Sequence, residues 1–513
     1  MSKIFNKKNI YWLLFVAIII FGAILRCLYY FQNRAFCGDE ANLVIPLILH
    51  SLKNILFSYE ELGELAPPLF FFGEKIVTSL VGISEYSVRF IPLIASLASC
   101  GIFAVFLEKF FEKSLPKLLA MFLFAVAAPC IIMAGFYKPY SVEVAVFLFV
   151  MLIFGINFSF KDKSFPKCIL LSLVHLLCFL TSFQSVFAVF SCLTVHFIYV
   201  SIFEKNIKTV GKILTVTFLD LIYLGLYYKF FLYKISNNRH LNHLWATDYS
   251  FFPNSYRDIG QLTDYLFVNG SYWSVAEKTA VIAVSVMLLL GLIALIFDVF
   301  RERKPKSVFN FLIVSVPIAS MLIAGLLHIY SFANRLVLGL LPLFIVIIAK
   351  PLDVKGKVSA IVFSVLTFLA VGYYFYTINL YSKINSLWTY EANSLTERDL
   401  YKKIGKEINH NQLIYIETAS FLTSYVYNYM YKFNDNILSC YYTYVQISTS
   451  TDAAKQEETV GKEDVIYTMY DRWSPWEILD APTRRLRLFI DKHFTCQVIM
   501  EGDTYLFSKC TKK

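Results

Sequence analysis

The sequence predicts a multi-pass α-helical membrane protein of about eleven transmembrane helices, N-terminus inside, with a C-terminal non-cytoplasmic α/β domain. Three observations carry that prediction. Hydrophobic residues make up 57% of the chain and charged residues only 16%, where a soluble globular chain carries about 25% charge. The excess apolar residues fall into runs long enough to cross hydrocarbon, which takes roughly 20 residues of helix. Lysine and arginine gather in short clusters in alternate loops between those runs, which puts them on one side.

The runs place helices near 10–30, 86–107, 118–134, 141–158, 168–181, 184–203, 210–232, 276–299, 308–328, 336–349 and 358–378. The apolar stretch 168–203 is too long for one span, so it is divided at its polar cluster, Thr181-Ser182-Phe183-Gln184-Ser185. The first run is too long for a signal-peptide core and lacks a small-residue cleavage site, so it reads as a retained helix. Pro67–Val81 is left out of the spans because Glu74 and Lys75 stand in its middle. Burying both charges in hydrocarbon would cost several kcal/mol, and an amphipathic helix lying in the interface avoids most of that cost.

Charge tests the choice. With the N-terminus inside, the cytoplasmic segments hold Lys3, Lys7 and Lys8, then Lys109, Lys113 and Lys117, then Lys161, Lys163 and Lys167. Lys205, Lys208 and Lys212 follow, with Arg301, Arg303, Lys304 and Lys306, and finally Lys350, Lys355 and Lys357. Counting 67–81 as a span would put every later cluster on the wrong side. These positions also account for the net charge of +10 as topology signals, which argues against nucleic-acid binding.

Three pieces then lie outside the cytoplasm: Phe31–Glu85, Tyr233–Val275 and everything after about residue 379. The chain divides into a transmembrane module, 1–378, which includes the outer loop 31–85, and a soluble domain, 379–513. The latter alternates helix-like stretches (Leu395–Ile408, Ser420–Tyr431, Thr483–His493) with strand-like runs (Gln412–Glu417, Asp464–Tyr470, Gln497–Met500, Thr504–Ser508), the pattern of a small α/β domain. Cys496 and Cys510 flank a hairpin there, and a disulfide between them needs the non-cytoplasmic side. The ten cysteines show no zinc spacing, and those in apolar runs read as small buried hydrophobes.

Several polar residues stand where chemistry is possible. Asp39 and Glu40 follow the first helix in Cys37-Gly38-Asp39-Glu40-Ala41; a carboxylate at a membrane surface can serve as general base, or simply be solvated. Tyr137-Lys138-Pro139-Tyr140-Ser141-Val142-Glu143 opens the fourth helix on the same side. Its tyrosines suit an interfacial belt, and Lys138 suits a phosphate or a salt bridge to Glu143, which lies inside the helix and needs a partner. Arg89 and Arg335 sit at outer helix ends, where arginine either snorkels or binds phosphate. Arg239 lies in Asn238-Arg239-His240-Leu241-Asn242-His243; two histidines alone do not make a metal site.

Together these positions resemble the GT-C superfamily of polytopic glycosyltransferases, in the branch of protein O-mannosyltransferases and bacterial aminoarabinose (lipid A) transferases (family 39-like). The likeness rests on the Asp39-Glu40 pair, on Pro67-Pro68-Leu69 leading to Gly82-Ile83-Ser84-Glu85-Tyr86-Ser87-Val88-Arg89-Phe90-Ile91-Pro92, on the Tyr-Lys-Pro-Tyr-Ser element, and on Asn334-Arg335-Leu336 leading to Leu341-Pro342. It covers roughly residues 1–380. The resemblance implies an enzyme of the inner (plasma) membrane with its active site on the periplasmic side. It would take a sugar from a polyprenyl-phosphate donor and pass it, with inversion, to a lipid, glycan or protein acceptor. Asp39 would be the general base, Glu40 a second polar contact and Glu143 the nearest candidate for a second acid. Lys138, Arg89, Arg239 and Arg335 would meet the carrier phosphate, with Tyr137 and Tyr140 beside it. Ala66 departs from that pattern, since a basic residue is common before Pro67-Pro68. No residue set is assigned to a metal, and the sequence leaves open whether a divalent metal takes part.

Two other classes were weighed. A secondary transporter or lipid flippase would place ionisable groups in several spans, and Asp220, His175 and His196 are such groups; it would also show a repeated half, and none is visible. An envelope scaffold displaying the C-terminal domain leaves the Asp39 and Lys138 clusters unexplained. The sidedness is directly testable with single cysteines in a cysteine-free background. Positions 60 and 450 should react with an impermeant thiol reagent only from outside; reaction from the cytoplasmic side at either would contradict the topology.

Overall fold

The structure is a computed structural model. It describes residues 7–57, 66–161, 163–233, 251–253, 255–268, 278–355, 357–378, 398, 413–416, 426–427, 429–430, 437–439, 457–458, 460–471, 481–501 and 505–513. The chain forms two compact units. The first comprises Met1–Gln32, Pro67–Phe70 and Arg89–Trp388; the second comprises Asn33–Ala66, Phe71–Val88 and Thr389–Lys513.

The first unit is helical. Its main helices are α1 (Lys7–Phe31), α5 (Glu85–Phe110), α6 (Ser114–Ala125), α7 (Ala128–Ile132), α8 (Tyr140–Val150), α9 (Phe165–Thr181), α10 (Ser185–Tyr199) and α11 (Ile207–Tyr227). After the short α12 (Tyr256–Thr263) come α13 (Lys278–Glu302), α14 (Pro305–Leu326), α15 (Leu341–Ala349) and α16 (Lys357–Ile378). Among the described residues, seven helices are long and apolar enough to cross a membrane, and a bent pair, Ser114–Ala125 with Ala128–Gly135, makes an eighth. Three shorter apolar helices, Tyr140–Ile156, Phe165–Thr181 and Ile361–Gly372, stand at the remaining expected spans. The division between α9 and α10 falls at the Ser182–Gln184 break, as the polar cluster required.

Two expected straight helices are interrupted. The span expected at 118–134 bends by 53° between α6 and α7. Pro129 is the cause: it lacks the N–H that Ala125 O would have taken and fits only the first turn of a new helix, which α7 begins after the extended Ala127. The helix expected to begin at 336 starts instead as a 3-10 turn, Asn334–Leu340, and becomes α-helical at Leu341 with Pro342 in its first turn. π-helical stretches extend α8 (Met151–Ile156) and α10 (Val200–Glu204). A buried aromatic and aliphatic core, including Phe103, Phe124, Phe147, Leu193, Ile313 and Val346, joins these helices.

The lysines at the expected cytoplasmic end are also paired. Asp353 accepts hydrogen bonds from the backbone N–H of Glu112 and Lys113, at 3.2 and 3.1 Å. Lys350 bridges Asp298 at 2.8 Å and Asp353 at 3.1 Å, and Lys355 bridges Glu112 and Glu302 at 3.0 and 2.9 Å. Those partners hold the Glu112 carboxyl below its ordinary range, Lys355 leading.

The second unit holds α2 (Gly38–Leu49), α3 (Leu52–Phe57), most of α4 (Pro68–Val81) and a five-stranded sheet. The strands are β1 (Leu413–Ile416), β2 (Ile437–Ser439), β3 (Val465–Asp471), β4 (Phe494–Glu501) and β5 (Tyr505–Lys512), in the order β2-β1-β3-β5-β4. β1 runs parallel to β2 and β3, while β5 runs antiparallel to β3 and β4. The expected strands all appear, and β2 is additional. α17 (Ala481–His493) packs Leu486 and Ile490 against Tyr415, Ile466 and Phe494. Cys496 and Cys510 face each other across β4 and β5 and form a disulfide. Of the other expected helices, Leu395–Ile408 and Ser420–Tyr431, most residues lie outside those described; Arg398, Val426, Tyr427, Tyr429 and Met430 are helical.

α4 corrects one expectation. The interfacial helix is expected to keep both charges out of hydrocarbon and solvated, yet Glu74 is 0% exposed and, among the described residues, neither carboxyl oxygen has a hydrogen-bond partner. It sits on the buried face with Phe70, Phe71 and Thr78, while Lys75 turns away and donates to Leu47 O at 2.5 Å. Burial lifts the Glu74 carboxyl well above its ordinary value, so the group accommodates burial by holding its proton. A raised carboxyl binds its proton more tightly when folded. Its contribution is fully present below the unfolded value and is lost as pH rises toward the folded one. Glu74→Gln removes this loss. Between about pH 5 and 8 the thermal midpoint of the variant should gain on wild type as pH rises; parallel curves would show that Glu74 is charged or solvated.

Candidate active site

The outer acids separate by environment. α2 begins at Gly38, so Asp39 and Glu40 occupy its first turn, where carboxylates favour the N-terminal end of the dipole. Asp39 is exposed. Glu40 is 1% exposed, and its carboxylate reaches back to accept from Cys37 N–H at 3.3 Å, a capping contact.

The strand of chain leading to Asp39 is fastened within the second unit. Phe36 N–H donates to Tyr427 Oη at 2.8 Å, and Tyr427 Oη donates to Glu85 at 3.2 Å. Arg398 pairs with Glu85 at 3.5 Å and donates to Asn33 O. The Phe36 and Tyr427 rings lie 5.7 Å apart. Glu85 is the acid of the Gly82–Pro92 run. Tyr427 and Arg398 carried no sequence signal, because their contacts span more than 300 residues of chain.

In the first unit the α7–α8 connection carries the second group. Met133–Gly135 form a 3-10 turn, and Lys138 N–H then donates to Phe136 O at 2.8 Å. Tyr137 is fully buried and stacks on Phe70 at 5.7 Å, which joins the Pro-Pro-Leu element to the Tyr-Lys-Pro-Tyr element. Lys138 is 4% and Arg89 2% exposed, so neither snorkels. Arg335 lies over the Tyr140 ring at 5.4 Å, a cation–π contact that brings two expected site residues together. Arg239, with His240 and His243, lies outside the described residues.

Glu143 finds its partner in Gln184, not in Lys138. Gln184 Nε2 donates to Glu143 at 2.7 Å, and Gln184 Oε1 accepts from Gly339 N–H at 2.8 Å. One amide therefore ties α8, the α9–α10 break and the 3-10 entry to α15. A Cβ at 339 would lie 2.3 Å from Gln184 Oε1, so any side chain there would push this amide from its place. Burial first, then the charge of Glu143, holds the Tyr330 phenol well above its ordinary value, and Tyr330 Oη donates to Leu336 O at 3.0 Å. Ser141 Oγ is buried and, among the described residues, has no hydrogen-bond partner. Gln184 is visible in sequence only as part of a helix break; nothing there names its two partners.

The other intramembrane acid is occupied. Asp220 accepts from Ser172 and sits 2.6 Å from His175 Nδ1. Both partners bond the same carboxylate, so the three are not ordered as a nucleophilic triad. Among the described residues no group of histidine, cysteine and acidic side chains could hold a metal ion.

No family model matches the chain, and no curated protein matches it in sequence. Solved structures do. ArnT from Cupriavidus metallidurans bound to undecaprenyl phosphate aligns at TM-score 0.55 and 10% identity, over 97% of each chain. The same protein in the apo state aligns at TM-score 0.51 and 9% identity, over 98% of each. The Archaeoglobus fulgidus oligosaccharyltransferase in its apo form aligns at TM-score 0.49 and 10% identity, over 98% of this chain and 75% of that one. The likeness to ArnT shows the fold: this chain is a multi-pass helical protein with the GT-C fold and a small C-terminal sheet.

Proposed function

We propose that the chain transfers a sugar from a polyprenyl-phosphate-linked donor to a lipid, glycan or protein acceptor on the non-cytoplasmic side of the membrane. One observation carries this reading. Lys138 and Arg89 are buried cations on a fold whose ArnT example, aligned over almost its whole length, holds undecaprenyl phosphate. A phosphodiester near hydrocarbon needs such charge compensation. Arg335, held over Tyr140, joins the proposed set; Arg239 and Tyr137 are added to it from the sequence resemblance alone.

In the proposed step the acceptor hydroxyl or amine attacks the anomeric carbon from the face opposite the phosphate. Its proton passes to Asp39, the C1–O bond breaks, and the polyprenyl phosphate leaves as an anion. The phosphodiester is already a good leaving group, so one base and phosphate stabilisation suffice without a catalytic acid. Exposure favours Asp39 over Glu40, whose carboxylate is committed to the Cys37 N–H. Glu143, the expected second acid, is bonded to Gln184 and we assign it to positioning the 137–143 segment. In the flippase reading Asp220 and His175 would carry ions, but each already has the other as partner.

Asp39→Asn keeps size and most hydrogen bonds while removing basicity. With purified protein and a labelled polyprenyl-phosphate sugar, turnover should fall by about 100-fold or more at normal expression and lipid binding. Near-normal turnover in that variant, beside an inactive Glu40→Gln or Glu143→Gln, would move the base.

A further inference from the structure

Arg26 is the only charged residue in the apolar body of α1, and it is 0% exposed. Among the described residues it has no acid partner. Nε donates to Ser96 Oγ at 3.0 Å, Nη1 to Gly22 O at 2.9 Å and Ala125 O at 3.1 Å, and Nη2 to Phe124 O at 3.1 Å. The guanidinium also stands 5.3 Å from the centre of the Phe124 ring.

Those carbonyls are special. Phe124 and Ala125 end α6, where the last helical carbonyls lack intrahelical donors and carry the negative end of the dipole. Residue 129, four beyond Ala125, is proline and has no N–H to offer. The bend at 126–127 would therefore leave Ala125 O without a backbone donor inside the bundle and Phe124 O with only a 3.4 Å bond from Ala127 N–H. Arg26 reaches both. The contact continues past the bend, because Ser96 Oγ donates to Cys130 O in α7 at 3.1 Å. Further along, Gly135 lies against Tyr29: a Cβ there would come within 2.7 Å of the Tyr29 ring. Helix α1 thus grips the broken span before and after the bend, and its farther point of contact, Tyr29 on Gly135, lies three residues before Lys138.

We propose that Arg26 is a positioning residue: it caps α6 and, through Ser96, α7, so that the bend delivers Tyr137 and Lys138 in fixed register. The link to lipid rests on the functional reading above; the link to the bend does not. A fork that reaches two carbonyls and a hydroxyl at once is a property of arginine that lysine lacks.

The test compares wild type, Arg26→Lys, Arg26→Gln and Ser96→Ala, each full-length and purified in nanodiscs. Amide hydrogen exchange over 126–138 should quicken by about tenfold or more in both Arg26 variants, and less in Ser96→Ala, with 341–349 unchanged. Undecaprenyl phosphate should bind about tenfold more weakly in the same variants, and Lys should not rescue either readout. Unchanged exchange over 126–138 in a folded Arg26 or Ser96 variant overturns the clasp. Faster exchange with wild-type lipid affinity overturns its coupling to the site. If the wild type itself binds no undecaprenyl phosphate, the carrier reading fails, and the exchange result alone decides the clasp. Should the Arg26 variants fail to fold, Ser96→Ala gives the same two readouts.

Discussion

A peptide group held away from water must find its hydrogen bond inside the protein. The bundle departs from plain α-helix at several places, and at three of them a named side chain takes up what the backbone releases. Arg26 takes the carbonyls ending α6. His196 donates to Phe154 O, at 2.8 Å, inside the π-helical extension of α8. Gln184 receives Gly339 N–H where α15 begins as a 3-10 turn. Irregular backbone is tolerated in a membrane protein only where protein or a lined cavity satisfies it, so these side chains are conditions for the fold.

The departures also sit beside the proposed chemistry. The bend before α7 leads into Tyr137 and Lys138, and the 3-10 turn before α15 contains Arg335. A helix break frees polar groups and lets a basic side chain stand at an angle that a straight helix forbids. The same breaks cost stability unless partnered, which is why buried side-chain hydrogen bonds to the backbone stand there: Arg26 to carbonyls, Gln184 to Gly339. In the second unit the logic is different. There, Glu85, Tyr427 and Arg398 hold the Asn33–Phe36 segment, so the short path to Asp39 is fixed by residues distant in sequence.

Much of the architecture was legible because apolar runs and lysine clusters report on the bilayer, a solvent with one strong rule. The division at Ser182–Gln184 followed from polarity, and spacing placed Cys496 and Cys510 on the flanks of a hairpin while leaving their pairing open. What stayed hidden depends on which side chain meets which. Hydropathy sees Arg26 as one blemish in an apolar run and cannot tell that Pro129 creates the need for it. Glu74 reads as an interfacial charge because composition cannot show that a carboxyl will stay protonated in a packed face. Adjacent acids look alike until a helix start turns Glu40 inward and leaves Asp39 outward. Strand β2, at three residues, is too short to have a period.

The central claim is that the broken-helix region of the first unit receives a lipid phosphate. A cryo-EM structure of the full chain with undecaprenyl phosphate tests it without knowledge of the sugar. The account predicts phosphate density within hydrogen-bond reach, about 2.7–3.2 Å, of Lys138, Arg89 or Arg335. Phosphate bound with none of these three in contact, in particular beside the lysine cluster of Lys350 and Lys355, would contradict it.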